Sequence, residues 1–121
     1  MEKVLGIGGV FLRAKDPQNL ALWYQQHLGL PLESDAPYGS FIAQKNDQTV
    51  WSCFAEDSDY FGNQHQQTMI NYRVADLTAM LIQLKAAGVW VDSHTEDGDY
   101  GKFGWAKDPE GNRFELWQPK N

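Results

Sequence analysis

Hydrophobic and polar positions in this chain follow two rhythms, and each rhythm occurs twice. Val4 to Ala14 and Thr68 to Val74 are dense in β-branched, aromatic and other apolar residues, the composition of strands. After each segment the period lengthens. Leu77, Met80, Leu81 and Leu84 recur at the i, i+3, i+4, i+7 spacing of a helix lying on a sheet, and Leu20, Trp23, Tyr24 and Leu28 give the first half a similar face. Asp16, followed by Pro17, and Asp76 are suited to N-caps, whereas Gly29 and Gly88 stand where a left-handed C-terminal cap takes glycine. Three short strands are expected after each helix, at about 30–34, 38–45 and 49–55 and again at 89–95, 100–107 and 112–118, the last two joined by the turn Asp108-Pro109-Glu110-Gly111-Asn112. The predicted unit is βαβββ, used twice.

The halves also align with each other. A shift of 60 lays Leu12-Arg13-Ala14-Lys15-Asp16 on Tyr72-Arg73-Val74-Ala75-Asp76, and a shift of 62 lays Tyr38-Gly39-Ser40-Phe41 on Tyr100-Gly101-Lys102-Phe103. A shift of 63 pairs Trp51-Ser52-Cys53-Phe54 with Phe114-Glu115-Leu116-Trp117. The alternative is two unrelated αβ stretches that share turn chemistry. The duplication divides one domain, 1–121, into a first module at 1–56, a linker at 57–67 and a second module at 68–121. The linker is polar and aperiodic apart from Tyr60 and Phe61, and it reads as a segment that reaches over something. The expected fold is α+β: two βαβββ modules forming a barrel-like mixed sheet that encloses a cleft, with the helices outside.

Charge narrows the partners. The formal net charge is −6, and an acidic chain repels phosphate backbones, which argues against a nucleic-acid partner. The longest charge-free apolar stretch, Val4 to Leu12, is nine residues with three glycines, far short of the ~20 needed to cross a bilayer. No secretory signal pattern opens the sequence, and the single cysteine, Cys53, cannot form an intrachain disulfide, so a cytoplasmic protein is expected. Aromatic residues make up 13% of the chain, more ring surface than so short a chain obviously needs for its core.

The duplicated βαβββ pattern, the Asp-capped helix ending in Gly, and above all Asp108-Pro109-Glu110-Gly111-Asn112-Arg113-Phe114-Glu115-Leu116 resemble the vicinal oxygen chelate superfamily. That group includes glyoxalase I, bleomycin and fosfomycin resistance proteins and extradiol dioxygenases. The chain looks most like its single-domain glyoxalase-like and bleomycin-resistance-like members. In metal-dependent members the resemblance places ligands at positions that map to Gly9, Ser52, Met69 and Glu115. Only Glu115 suits a hard divalent ion, because glycine has no donor atom, methionine offers a soft thioether and a lone serine hydroxyl is a poor ligand. His27, His65 and His94 show no paired spacing. The expectation is therefore no metal and no cofactor, with a homodimer implied by the family.

Taking those four positions as inward, alternation also sends Phe11, Arg13, Phe54, Asn71, Arg73, Arg113 and Trp117 to the cleft face, and Phe103 and Trp105 share a face of their strand. Rings with a few placed polar groups make small-molecule pockets. The expected ligand-binding set is Glu115, Phe11, Ser52, Phe54, Met69, Asn71, Phe103, Trp105, Trp117 and Tyr60. An aromatic or cationic molecule would stack on Trp105 or Trp117, with Glu115 as counter-ion or acceptor. In the plainer reading, these rings only fill the interface and Glu115 pairs with Arg13 or Arg73. Three functions follow: a metal-independent small-molecule-binding protein that sequesters a drug or metabolite; a metal-dependent lyase, isomerase or glyoxalase-like enzyme with Glu115 and an unexpected ligand such as His65; or metal-free catalysis with Glu115 as a general base.

Overall fold

Aspartate caps open both helices. Asp16 Oδ1 accepts from the Asn19 N–H at 3.1 Å at the start of α1 (Pro17–Leu28), and Asp76 Oδ1 accepts from the Ala79 N–H at 3.0 Å at the start of α2 (Leu77–Ala86). α1 closes on Gly29 in the left-handed region. α2 closes through Gly88 at φ +78°, with the Val89 N–H reaching the Leu84 carbonyl at 3.0 Å and the Gly88 N–H reaching that of Lys85 at 3.0 Å, the paired bonds that satisfy a helix end. The computed structural model describes residues 10, 12, 14–37, 39, 41, 55 and 57–120.

Among the described residues four strands follow α1: β1 (Asn71–Arg73), β2 (Glu96–Gly98), β3 (Gly101–Lys107) and β4 (Arg113–Pro119). They form one open mixed sheet in the order β1-β4-β3-β2, with β1 parallel to β4 and the other pairs antiparallel. The fold is α+β. Residues 68–120 run strand, helix and three strands, with the first strand, the helix and the last two strands where the hydrophobic pattern predicts them. The expected strands at 4–14, 38–45 and 49–55 fall largely outside the described residues, and so does the pairing of two modules into a barrel. Of the 30–34 strand, a single bridge from Leu32 to Gly39 is present.

One expected strand is corrected. The 89–95 segment is not a continuous strand: Val91 bridges Ala106, and regular pairing resumes only at Glu96 opposite Phe103. Four residues, 92–95, thus stand against two, 104 and 105, and the surplus bulges out of the ladder. The cause is local: Asp92 Oδ1 accepts from the His94 N–H at 3.0 Å, giving the backbone a turn in place of a ladder bond.

The helices cover one face of the sheet. Leu20, Tyr24, Leu77, Leu81 and Leu84 pack on Ala106, Phe114 and Leu116, and Gly104 lets α2 approach so closely that a Cβ there would lie 3.2 Å from both Leu81 methyls. Tyr24, Tyr72 and Phe114 interlock at centroid separations of 5.8–5.9 Å. Burial first, with nearby Asp108 adding to it, pushes the Tyr72 hydroxyl up to about 12. Leu84 is fully buried, so its truncation to alanine should cost about 2–5 kcal/mol. With this face dry, strand alternation sends the remaining chemistry to the other.

Candidate functional site

The face away from the helices carries two rows of side chains fixed by strand register. Asn71 on β1, Glu115 on β4 and Trp105 on β3 are direct cross-strand partners and form the first row. Arg73, Trp117, Phe103 and Glu96 form the second, one from each strand. Alternation from Glu115 places Asn71, Arg73 and Trp117 on this face; Phe103 and Trp105 were expected only to share a face of their strand, and the register shows that it is this one.

Glu115 is the centre of the first row. It is 7% exposed, and three side chains donate to it. Asn71 Nδ2 donates to Oε1 at 2.6 Å, Trp105 Nε1 donates to Oε2 at 2.9 Å, and the Tyr60 hydroxyl donates to Oε2 as well. A buried carboxylate without such donors would be costly, so the three bonds explain how Glu115 is tolerated there. Burial, and then the bond to Glu115, raise the Tyr60 hydroxyl well above the ordinary phenol range, which keeps it a donor.

Tyr60 arrives from the linker, which does reach over the sheet. Gln66 fastens it to β4, its amide donating to the Arg113 carbonyl at 2.7 Å and its oxygen accepting from the Arg113 N–H at 2.9 Å. Arg113 Nε donates to the Tyr60 carbonyl at 3.3 Å, and its Nη2 pairs with Asp92 Oδ2 at 3.0 Å. Gly62, at φ +83°, seats a turn so close that a Cβ would lie 2.7 Å from Arg113 Cδ. Asp92 is held below the usual carboxylate range, chiefly by the backbone N–H of His94 and then by Arg113.

Trp105 is 2% exposed because its own neighbours surround it. Tyr60 meets it edge-on at 5.5 Å and 87°, the His94 ring lies parallel to it at 5.7 Å, and the Arg113 guanidinium stands 5.5 Å from its centroid. In the second row Trp117, 6% exposed, stacks on Phe103 at 6.0 Å, and its Nε1 donates to the Tyr100 carbonyl at 2.8 Å. Both tryptophans expected to stack on a ligand therefore already have protein partners, and Phe103 is the more accessible ring. Beyond it Glu96, Asp97, Asp99 and Tyr100 frame an open, acidic hollow.

The structure thus joins four of the expected residues directly, Glu115, Asn71, Trp105 and Tyr60, with Phe103 and Trp117 alongside. Met69 lies half-buried two residues before Asn71, outside β1. Phe11, Ser52 and Phe54, and Gly9 with them, lie outside the described residues. Gln66, Asp92 and the ring contact of His94 were not foreseen; only Arg113 carried a signal, its alternation with Glu115.

These residues do not suit a divalent metal. Both Glu115 oxygens face N–H and O–H donors, which present hydrogens to the space a cation would fill, and Met69 supplies only a thioether. Among the described residues no three His, Cys, Asp or Glu side chains gather at one point.

Residues 9–117 match the family described as Glyoxalase-like domain. The lactoylglutathione lyase of Agrobacterium tumefaciens is similar in structure, with 16% identity over 97% of this chain and 96% of that one and a TM-score of 0.59. A member of the glyoxalase/bleomycin resistance protein/dioxygenase superfamily from Sphaerobacter thermophilus DSM 20745 matches at 18% identity over 87% and 90% of the two chains, TM-score 0.53. TnmS3, an antibiotic binding protein from Streptomyces sp. CB03234, is 31% identical, but the match spans only 42% of this chain and 41% of that one, TM-score 0.39. No curated protein matches the chain.

Proposed function

The chain belongs to the glyoxalase-like domain family of the vicinal oxygen chelate superfamily, and from that premise we propose that it binds a small aromatic molecule on the Glu115 face of its sheet without a resident metal. The observation that carries this reading is the buried Glu115 carboxylate, hydrogen-bonded, among the described residues, by side chains from β1, β3 and the linker. An acceptor set among rings and away from the helix-covered core is what orients a ligand in an otherwise apolar site. The donors around Glu115 favour this reading over the lyase or isomerase reading, which needs lone pairs aimed at a cation. A homodimer belongs to the same proposal, and sedimentation of the protein checks it.

Ligand-observed NMR with a panel of phenols, aryl amines and neutral arenes tests the binding reading, run on wild type and Glu115→Leu, with EDTA and with added zinc or manganese. Binding should be indifferent to metal and fall about tenfold or more in Glu115→Leu, the loss of one well-made hydrogen bond to a charged group. Binding that requires the metal, or that ignores the substitution, would overturn the reading.

A further inference from the structure

Among the described residues, the protein itself fills three of the hydrogen-bonding directions of Glu115. Oε2 accepts from Tyr60 and Trp105, and Oε1 accepts from Asn71. Oε2 already accepts two donors, so a ligand can bond to that oxygen only by replacing Tyr60 or Trp105. Trp105 is 2% exposed, with Tyr60, His94 and Arg113 packed around its ring, so its indole has no room to swing aside. Tyr60 does not stand on a strand. It comes from the turns of 57–67, and its phenol can leave by rotating about two side-chain torsions. Arg113 would still hold the Tyr60 carbonyl, and Gln66 would still tie the segment to β4.

What Tyr60 would leave behind has a definite shape. Its ring lies edge-on to Trp105 at 5.5 Å, and its hydroxyl donates to Glu115. We infer that Tyr60 is an internal stand-in for the ligand, and that the ligand is a small aryl alcohol whose hydroxyl donates to Glu115 while its ring takes the place of Tyr60 against Trp105. The inference rests on the binding reading above. A neutral donor suits the space better than an ammonium group, because the Arg113 guanidinium is 5.5 Å from the Trp105 ring centroid and bonds to Tyr60 itself. A second cation there would meet like charge in a partly desolvated setting.

Truncating the side chain should empty a space that a free ligand of the same form can fill, as apolar cavities accept matching small molecules. The test titrates p-cresol, and toluene as the same shape without the hydroxyl, into wild type, Tyr60→Ala and Tyr60→Phe, read by calorimetry and by tryptophan fluorescence. Tyr60→Ala should bind p-cresol about tenfold or more tightly than wild type does, and about tenfold or more tightly than it binds toluene. Tyr60→Phe keeps the ring but loses the bond that holds it in place, so it too should bind p-cresol more tightly than wild type; it keeps the inference testable if Tyr60→Ala fails to fold. Equal affinity for p-cresol and toluene, or no gain in either variant, would overturn the inference. If panel ligands still lose affinity in Glu115→Leu while neither Tyr60 variant gains, the stand-in role falls and the binding reading remains.

Discussion

Two buried carboxylates, Asp108 and Glu115, each accept a tyrosine hydroxyl and an asparagine amide, and they differ in where along the chain their donors stand. Asp108 sits at the turn between β3 and β4, where its oxygens take the N–H groups of Glu110 and Asn112 at 2.8 and 3.0 Å, the Asn112 amide at 2.9 Å and the Tyr24 hydroxyl at 2.7 Å. Three of those four donors lie within four residues of it. The carboxylate closes its own turn, and Tyr24 ties the turn to α1. Glu115 receives nothing from its own neighbourhood: among the described residues its donors stand 10, 44 and 55 residues away, and all are side chains. A carboxylate bound by the backbone of its own turn shapes the chain. One bound by remote side chains on the sheet face away from the helices can exchange a donor without unfolding the segment that carries it.

Removing Asp108 gives the largest effect that this contrast predicts. Asp108→Ala should lower stability by about 3 kcal/mol or more in urea unfolding, since it strands several buried donors at once. A loss as small as that of an exposed carboxylate would erase the distinction. The tyrosines sharpen it. Tyr24→Phe should cost about 1.5 kcal/mol and leave the binding of panel ligands unchanged, whereas Tyr60→Phe should cost about 1 kcal/mol or less and strengthen the binding of phenols. Identical behaviour of the two variants would make Tyr60 another structural hydroxyl.

Alkaline pH acts on both regions. Tyr24, Tyr60 and Tyr72 are all raised above the ordinary phenol value of 10.0, so their contribution is complete below that value and is lost as pH climbs through the folded values, about 12 for Tyr72. Melting temperature should decline above pH ~10, with the tyrosinate absorbance of these three residues appearing only as the protein unfolds. Free titration of all tyrosines in the folded protein would contradict the burial described above. The smallest effect is expected at Asp92, which is lowered; its contribution is present at neutral pH and fades as pH falls below the ordinary carboxylate range. Asp92→Asn should cost about 0.5 kcal/mol at pH 7 and less in acid, measured by thermal melts at both pH values.

Much of the second half was legible in the sequence because its signals are local. Asp76 and Gly88 bound α2, the leucine stripe names its buried face, and alternation along β4 sets Arg113, Glu115 and Trp117 against Phe114 and Leu116. The same alternation put Asn71 on the face of Glu115 and Trp105 on one face with Phe103, and the strand register then makes Asn71 and Trp105 direct neighbours of Glu115. What was not legible depends on geometry with no period. The two-residue surplus at 92–95 arises from one Asp92 side chain, and it places His94 against Trp105. Gln66 mimics a strand partner from within a polar linker. Tyr60 stood out as an aromatic in a polar segment, but nothing in its spacing showed that it would complete the site. The rings divide in the same way: Tyr24, Tyr72 and Phe114 belong to the helix-covered core, and Trp105, Trp117, Phe103 and Tyr60 to the opposite face.

The central claim is that the Glu115 face receives a ligand and the Asp108 turn does not. Carboxyl-selective NMR of both side chains, recorded while the tightest-binding member of the panel is titrated into wild-type protein, tests it most directly. The Glu115 resonance should move in step with ligand occupancy while that of Asp108 stays in place. A resonance of Asp108 that moves with it, or a Glu115 resonance unchanged at saturation, would contradict the claim.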